Sequence, residues 1–456
     1  MNSSIFIRGG TIVRGSGPEE ADVLIEDGVI RSIFERANQQ TSKPMYPRDT
    51  SEVIDAYGEL IFPGLIDCHV HFREPGMTHK GDMRSESSSA LAGGVTTVCE
   101  MPNTVPPTVT VEAFADKVRR AHTIKDCDMR LFFGITEHRH LIALRSIWIQ
   151  NNHELKRLKE SCVGVKVYLD HSTGNQKASE EVLEETFQLC AELGITVVAH
   201  CEDAEINKTL WGRNVPAPQG LPLVAVHSLK RPPASERKAI MFAIGLARRY
   251  GTKFHVAHLS TAVGLDLVRE AKSDGLPVTC EVAPHHLFLT VEDYKTLGTL
   301  GKMNPPLRDK EDQEALWGGI VDGTVDCIAT DHAPHTLEEK QNPDPLKAPS
   351  GVPGVETMLP LLLSIVHGQW PHPHLKTVSY KLKTQDIVRL CFDNPNRIFH
   401  LGKEGIREGA KADLVIVDPV REWSIHGRDL HARCGWTPYE GWKVRGAIKK
   451  VIWNGM

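Results

Sequence analysis

Eight apolar runs of strand length recur along the middle of this chain, and segments with a helical spacing of apolar residues separate them. The runs cover residues 60–69, 95–101, 129–135, 163–169, 195–201, 253–259, 277–283 and 325–331. Strands that are apolar on both faces are typical of a parallel sheet that helices cover. The alternation therefore predicts an α/β fold in which eight parallel strands close into a TIM-like (β/α)8 barrel.

Three of the helical segments carry a recognisable start signal. Ser179, Ser235 and Thr261 each stand at the beginning of such a segment. A Ser or Thr side chain in that position accepts a hydrogen bond from a backbone N–H of the first turn. We expect each of the three residues to cap its helix.

The two ends of the chain differ from the middle, because their short strand-like runs are separated by glycine turns. These runs cover residues 5–13, 21–33, 52–60, 412–417 and 444–454. We expect residues 1–62 and 396–456 to form a small β-sandwich domain together, beside a barrel made of residues 63–395. Residues 212–222 and 341–354 are rich in Pro and Gly without periodicity, which predicts long loops that shape a site.

The charge balance excludes two classes of partner. Lys and Arg number 53 and Asp and Glu 58, for a formal net charge of −5. A nucleic-acid-binding protein would carry a basic surplus, and a polybasic membrane anchor would carry a Lys/Arg cluster. The longest apolar run, residues 359–366, is far shorter than the roughly 18 residues that span a bilayer. We expect a small-molecule substrate, with no nucleic acid and no membrane as partner.

The start of the chain and the cysteines indicate a cellular location. Residues 1–10 contain no basic region followed by an apolar stretch, so we expect no secretory signal. The ten cysteines include no CxxC pair, which is typical of free thiols in a reducing compartment. The sequence therefore predicts a cytoplasmic protein.

Side chains of the kind that bind metals stand at or near the C-terminal ends of several apolar runs. They are His69, His71, Lys166, His200, His258 and Asp331. The C-terminal ends of parallel barrel strands meet at one rim, and the spacing of His69 and His71 places both imidazoles on one side of their strand. Together these groups supply enough nitrogen and oxygen ligands for two divalent ions such as Zn²⁺.

Each of these residues also has a plainer interpretation. The histidine pair alone is more often solvated or structural, and a lone His200 or His258 at a strand end is more often part of the core. Lys166 is unusual, because burial in an apolar strand disfavours a charged amine. It either extends to the strand end or reacts, as a neutral amine, with carbon dioxide to give a carbamate that bridges two ions. Asp170, four residues later, is the alternative bridge.

Residues 63–76, with the sequence PGLIDCHVHFREPG, resemble the opening signature of the dihydroorotases, which are cyclic amidohydrolases. Four further stretches agree in the same order: EMPNTVP at residues 100–106, VAHLS at 256–260, EVAPHHL at 281–287 and DCIATDHAPH at 326–335. The likeness extends from residue 60 to residue 400. It implies a barrel with a binuclear metal centre.

The resemblance assigns a role to each candidate ligand. The matching positions are His69 and His71 for the first ion, His200 and His258 for the second, Lys166 for a carboxylated bridge and Asp331 for a ligand that also handles the proton. Some bacterial dihydroorotases have an aspartate as the bridge, whereas the fourth strand here is more similar to the branch that has a lysine. We expect Lys166 to bridge two Zn²⁺ ions, with Asp170 as the alternative.

Other residues near the rim are expected to support this centre. Metal-bound imidazoles usually donate their second N–H to an acceptor, and we expect Asp67 to accept it from His69. Glu281, His285 and His286 lie at the end of the seventh run. They either tune the site or form a buried group that orients its neighbours.

The implied reaction is the reversible, zinc-dependent hydrolysis of the cyclic amide of L-dihydroorotate to N-carbamoyl-L-aspartate, in the de novo synthesis of pyrimidines. Asp331 would carry a proton from the attacking water to the leaving nitrogen. Arg73 follows the histidine pair by two residues, and a guanidinium suits bidentate binding of a carboxylate, although a surface charge is the plainer interpretation. By resemblance, Asn103 and His335 bind the same carboxylate and Asn304 contacts the substrate ring.

Two other functions compete with this hypothesis. An allantoinase or another cyclic amidohydrolase would have the same metal ligands, but allantoin has no carboxylate to pair with Arg73. A catalytically inactive homologue with a structural role would typically lack ligands, whereas every matched position is filled here. We also expect a homo-oligomer, and association with other enzymes of pyrimidine synthesis is a further hypothesis.

Overall fold

The computed structural model describes residues 4–35, 50–149, 152–171, 176–372 and 381–454. The strands are β1 (Ser4–Arg14), β2 (Gly17–Glu26), β3 (Val29–Glu35), β4 (Glu52–Asp55), β5 (Leu60–Pro63), β6 (Leu65–Val70), β7 (Val95–Glu100), β8 (Asp128–Gly134), β9 (Cys162–Tyr168), β10 (Val197–His200), β11 (Phe254–Val256), β12 (Val278–Val282), β13 (Cys327–Ile328), β14 (Leu414–Ser424) and β15 (Lys443–Ile452). They form two sheets, one from the middle of the chain and one from its ends.

Helices follow most of the barrel strands. They are α1 (Met83–Ala92), α2 (Val111–Ala121), α3 (His138–Ile149), α4 (His153–Ser161), α5 (Glu180–Leu193), α6 (Ala204–Trp211), α7 (Val226–Lys230), α8 (Pro233–Tyr250), α9 (Ala262–Ser273), α10 (Pro284–Phe288), α11 (Tyr294–Leu297), α12 (Lys310–Asp322), α13 (Leu337–Lys340), α14 (Met358–Val366), α15 (Thr384–Val388) and α16 (Asn394–Ile398). Among the described residues, no helix is long and apolar enough to cross a membrane.

Strands β6 to β13 lie side by side in chain order, and each pairs in parallel with the next. A bridge between Val70 and His332 joins the two outer strands at their C-terminal ends, so the sheet closes there. The predicted (β/α)8 barrel is confirmed. Because helices cover its outside, both faces of its strands are buried, as the apolar runs predicted.

The prediction of one continuous first strand over residues 60–69 was wrong. The run divides at Gly64: β5 joins the sheet of the chain ends, and β6 begins the barrel. Gly64 donates its backbone N–H to Asp413, and a side chain at this position would collide with Thr96 and Asp413. Glycine therefore permits the close approach at which the chain passes from one sheet to the other.

The chain ends form a seven-stranded sheet in the order β15-β14-β5-β1-β2-β3, with β4 beside β1. Alternate residues of β14 face opposite ways: Leu414 and Ile416 belong to the apolar core of this sheet, and Val415 and Val417 pack into the barrel core. The small β domain from both termini is thus confirmed. Its boundaries, expected at residues 62–63 and 395–396, stay a prediction.

Two of the three expected helix caps are confirmed. The Ser179 side chain accepts a hydrogen bond from the first turn of α5, and the Thr261 side chain does so for α9. The expectation for Ser235 was wrong, because α8 begins earlier, at Pro233, and Ser235 lies inside its first turn. Its hydroxyl instead contacts Asp203, accepting from the backbone N–H at 2.7 Å and donating to the carbonyl at 3.2 Å.

Candidate metal centre

A narrow cavity lies at the C-terminal rim of the barrel, where the polar residues of the strand ends meet. All six predicted metal ligands line it, together with Arg73 and Asn304. The other two predicted site residues, Asn103 and His335, lie one contact behind the wall, against His71 and Arg73 respectively. The structure therefore brings the ten residues singled out from the sequence to one place, as the strand-end argument required.

The first group of candidate ligands contains two imidazoles and one carboxylate. Oδ1 of Asp331 lies 3.3 Å from Nε2 of His69 and 3.0 Å from Nε2 of His71. Ligand atoms of the three residues lie within 4.8 Å of one another, and all three side chains are buried. Burial alone would raise the pKa of Asp331, but His69 and His71 hold it well below its usual value. An ionised carboxylate between two imidazoles is a donor set that suits Zn²⁺.

The second group consists of His200 and His258. Nδ1 of His200 lies 3.0 Å from Nε2 of His258, and both side chains are buried. Burial lowers the pKa of each ring, so both imidazoles are neutral and able to act as ligands at neutral pH. His200 ends β10, His258 follows β11 by two residues, and both line the cavity.

Lys166 lies between the two groups, in the middle of β9. Its side chain is 1% exposed, and its Nζ has no hydrogen-bond partner among the described residues. Burial lowers the pKa of Lys166 to about 8, which increases the neutral amine fraction. A buried amine without an acceptor is costly unless another group completes its environment. A carbamate formed on this nitrogen would complete it and would supply oxygen ligands.

Asp170, the alternative bridge, is already engaged elsewhere. Its Oδ2 accepts a hydrogen bond of 2.7 Å from Asn207 and forms an ion pair of 3.1 Å with Arg231. Its Oδ1 accepts the backbone N–H of His171. Because both carboxylate oxygens are occupied and Asp170 does not line the cavity, the geometry favours Lys166.

The expected support of His69 by Asp67 was wrong. Nδ1 of His69 donates to Oε1 of Glu281 on β12, two strands away around the barrel. The Asp67 carboxylate accepts hydrogen bonds from the backbone N–H and the hydroxyl of Thr330 and from the backbone N–H of His69. Asp67 lies one layer deeper than the imidazoles, where it joins the last barrel strand to the first.

The sequence argument also missed the group that orients His200. Nε2 of His200 donates to Oε2 of Glu202 at 2.9 Å, while Nδ1 faces Nε2 of His258. Arg231 donates to the same carboxylate from Nε at 3.0 Å and from a terminal nitrogen at 2.6 Å. Glu202 follows His200 by two residues, so the alternation along the extended chain could have identified it. Arg231, from the end of α7, carries no such signal.

The residues expected to bind substrate differ in what they contact. Arg73 is 2% exposed, and its guanidinium donates to the carbonyl of Pro334 at 2.9 Å and contacts Nε2 of His335 at 3.1 Å. Asn103 accepts a hydrogen bond of 2.7 Å from Nδ1 of His71, while its Nδ2 is buried without a partner among the described residues. Asn304 accepts from Nε2 of His227 at 2.8 Å.

Tyr168 is a further cavity residue that the sequence argument did not single out. It lies two residues after Lys166 on the same side of β9, and its hydroxyl is buried without a hydrogen-bond partner among the described residues. His332, by contrast, points away from the cavity and donates to Glu86 at 2.7 Å. His286 donates to the carbonyl of Pro305 at 3.1 Å, so its place is structural.

Three residues of the rim have left-handed backbone conformations that are rare for residues other than glycine. The φ angles are +65° for Arg73, +34° for His258 and +47° for Asp331. Such conformations cost on the order of 1–3 kcal/mol each and cluster at functional sites, where surrounding contacts enforce them. Backbone strain at three cavity residues indicates that their side-chain directions matter.

Comparison with known proteins identifies the family. Residues 60–213 match the profile of the Amidohydrolase family. A dihydroorotase from Methanosarcina mazei is 37% identical over 446 residues, which cover 96% of this chain and 90% of that protein. A dihydroorotase from Halobacterium salinarum is 38% identical over 447 residues, which cover 95% of this chain and 96% of that protein. The chain belongs to the dihydroorotase family of amidohydrolases.

Membership of the dihydroorotase family confirms that this protein is a hydrolase acting on cyclic amide bonds. Amidohydrolases generally use a metal centre, and this chain has a cluster of candidate ligands, His69, His71 and Asp331. Solved structures of related enzymes have the same fold. The L-hydantoinase (dihydropyrimidinase) from Arthrobacter aurescens has a TM-score of 0.85 at 27% identity, covering 100% of this chain and 96% of that chain. The dihydropyrimidinase from Brevibacillus agri has a TM-score of 0.84 at 25% identity, covering 99% and 94%.

Proposed function

We propose that this protein is a dihydroorotase, which interconverts L-dihydroorotate and N-carbamoyl-L-aspartate in the de novo synthesis of pyrimidines. The observation that carries the proposal is Arg73, a buried guanidinium beside the candidate ligands that forms no ion pair with a carboxylate of the described residues. Leaving such a cation unpaired is costly. The carboxylate of dihydroorotate would complete its environment with a bidentate contact.

We assign two Zn²⁺ ions to the cavity. His69 and His71 would hold the first, His200 and His258 the second, Lys166 would bridge both as a carbamate, and Asp331 would complete the first site. The orphaned Nζ of Lys166 and the facing ring nitrogens of His200 and His258 support this assignment. Bound there, the ions would supply activation of a water and polarisation of the amide carbonyl.

The proton transfer is assigned to Asp331. Its carboxylate is held ionised by His69 and His71, so it is able to accept a proton from the attacking water. Asp331 lines the cavity, from which it would deliver that proton to the leaving nitrogen of the bound substrate. In the reverse direction the same carboxylate would remove a proton from the nitrogen that closes the ring.

The proposed substrate contacts are polar side chains in the cavity wall or directly behind it. Arg73 and the free Nδ2 of Asn103 would bind the carboxylate. His335, which contacts Arg73 and accepts from Lys80 at 3.1 Å, would hold the guanidinium in place and complete the carboxylate site. Asn304 also lines the cavity and would contact the ring.

A hydantoinase or an allantoinase is the competing function, and the similarity to solved hydantoinases is its support. Their ring substrates need no cation at the position of Arg73, so the buried guanidinium favours dihydroorotate.

The free state of the ten cysteines supports the predicted cytoplasmic location. A homo-oligomer and association with other enzymes of the pathway stay hypotheses.

The proposal is tested by comparing the hydrolysis rates of the zinc-loaded protein on dihydroorotate, hydantoin and allantoin. We expect about two zinc ions per chain and turnover of dihydroorotate far above that of the two neutral rings. Faster hydrolysis of hydantoin or allantoin would replace the proposed substrate. A folded protein that binds no divalent metal and hydrolyses none of the three would instead support the inactive homologue.

A further inference from the structure

One wall of the cavity is formed by a loop rather than by a barrel strand. Ser350 and Gly351 line the cavity, and both belong to the long connection between α13 and α14. Backbone contacts hold this part of the loop at few points: Gly351 donates to the carbonyl of Lys302 at 3.0 Å, and a bridge joins Val352 to His332. Other groups must therefore fix the shape of the wall.

Two lysine side chains provide that support, and we call Lys302 and Lys340 the lysine clamp. Nζ of Lys302 donates to the carbonyl of Leu346 at 2.5 Å and to that of Ala348 at 2.7 Å. Nζ of Lys340 donates to three carbonyls, those of Lys302 at 2.8 Å, Pro349 at 3.0 Å and Gly351 at 3.0 Å. The clamp thus holds four carbonyls between residues 346 and 351, on both sides of the cavity-lining Ser350.

The clamp places two amines in a buried environment, where desolvation disfavours a positive charge. Lys340 is 0% exposed and Lys302 is 4% exposed, and among the described residues the partners of both amines are backbone carbonyls rather than carboxylates. Burial and the neighbouring Lys302 and Arg73 lower the pKa of Lys340, and burial lowers the pKa of Lys302 to about 8. The three carbonyl acceptors of Lys340 nevertheless match the three N–H donors of the protonated amine. Carbonyl dipoles offset part of this cost, but an anion close by would offset more.

The surroundings keep water away from this charge. Nζ of Lys340 lies 5.6 Å from the centre of the Trp436 ring, and Nε1 of Trp436 donates to the carbonyl of His335 at 2.8 Å. His335 in turn contacts Arg73 and the carbonyl of Ser350, each at 3.1 Å. The clamp and Arg73 therefore act on the same end of the cavity across a water-poor medium, in which charges interact more strongly than in bulk water.

We propose that Lys302 and Lys340 are positioning residues that select an anionic substrate. They hold the 346–351 wall against the cavity, and together with Arg73 they make the carboxylate end of the cavity positive. This inference rests on the proposed function, because it concerns the carboxylate of the same substrate. It explains why a chain similar in fold to hydantoinases would prefer a ring that carries a carboxylate.

The test measures two constants in the zinc-loaded wild type and in the Lys340→Met and Lys302→Met variants. One is the KM for dihydroorotate, and the other is the inhibition constant of 5,6-dihydrouracil, which has the same ring without the carboxylate. We expect the KM to rise about tenfold or more, the effect of losing hydrogen bonds from a charged group. The kcat and the inhibition constant of dihydrouracil should change by less than about threefold.

Lys347→Met is the matched control. Lys347 belongs to the same loop, but its side chain is 77% exposed and pairs with Asp344 at the surface. We expect wild-type values for it. Zinc content and the melting temperature are measured for every variant. If Lys340→Met does not fold, Lys302→Met decides the matter, because it leaves the three hydrogen bonds of Lys340 in place.

Either of two results would overturn the inference. The first is an unchanged KM for dihydroorotate in the clamp variants. The second is an equal loss of affinity for dihydroorotate and dihydrouracil, which would indicate that the substitution only disordered the loop. Failure of the proposed function looks different. In that case the wild type itself would not hydrolyse dihydroorotate, whereas failure of the inference alone leaves an active wild type with insensitive variants.

Discussion

The sheet of the chain ends and the rim of the barrel bury opposite kinds of residues, apolar in the sheet and polar or charged at the rim. The sheet has an apolar core in which residues such as Ile12, Ile61 and Ile416 are fully buried. The rim buries an amine without a partner, an ionised carboxylate and three residues with left-handed backbones. The apolar core of the sheet therefore stabilises the fold. The buried polar groups and left-handed backbones of the rim destabilise it, and a functional role explains why they are present. Substitutions in the two regions should separate stability from activity.

The largest effect is expected at the rim, for Lys166→Ala. Loss of the proposed bridge should lower kcat/KM by about a thousandfold or more, while the melting temperature of the metal-free protein stays equal or rises, because a costly buried amine is removed. Zinc content and the rate on dihydroorotate check this.

Added acetate or propionate should restore part of the rate of Lys166→Ala, since a small carboxylate would fill the space of the carbamate. Unchanged zinc content and an unchanged rate in this variant would contradict the assignment and move the bridge to Asp170.

The opposite behaviour is expected in the sheet, for Ile416→Ala. This substitution leaves a cavity in the apolar core and should lower the free energy of unfolding by about 2–5 kcal/mol. The rate per folded molecule should not change. Urea unfolding followed by circular dichroism measures the first quantity and a steady-state assay the second. Val420→Ala, at a 61% exposed position of the same strand, is the control and should stay within about 0.5 kcal/mol.

An intermediate effect on activity is expected for Glu202→Gln. The neutral amide no longer balances the charge of Arg231 and weakens the orientation of His200, so metal affinity and activity should fall by about 10–100-fold. The loss should concern one of the two zinc ions, which titration with a chelator would resolve. Glu205→Gln, an exposed change on α6, should leave both ions bound. Loss of both ions together from Glu202→Gln would refute the assignment of His200 to a separate site.

The smallest effect is expected outside both regions, for Ser179→Ala. The hydroxyl accepts a hydrogen bond of 3.2 Å from Val182 at the start of α5. Removing it should lower the free energy of unfolding by about 1 kcal/mol, the usual value of a helix cap. Thermal unfolding checks this, and a substrate assay should show no change. A larger loss than that of Ile416→Ala would mean that α5 supports the barrel more than the sheet core does.

The sequence predicted the barrel and the meeting of the ligands because both depend on local pattern. Runs that are apolar on both faces indicate buried parallel strands, and the ends of such strands converge on one rim. His69 and Asp331 were located by that rule, whereas Lys166 was noticed as a cation within an apolar strand.

The supporting contacts were harder to predict, because they join residues that are distant in the chain. Asp67 was expected to support His69 on the ground of nearness in sequence, yet Glu281, 212 residues away, accepts the hydrogen bond. The two strands carry these residues to facing positions in the barrel interior, and alternation along one strand does not reveal a partner on another. Arg231 was missed for the same reason.

The division of the sheet between the chain ends has a consequence for synthesis on the ribosome. Pro63 of β5 pairs with Leu414 of β14, which emerges 351 residues later. At roughly 5–20 residues per second, the nascent chain would present one open edge of β5 for about 20–70 s before its partner strand is made. An unpaired edge of that kind invites association with other strands. Translation speed and chaperone supply should therefore affect the yield of this protein more than that of a barrel alone.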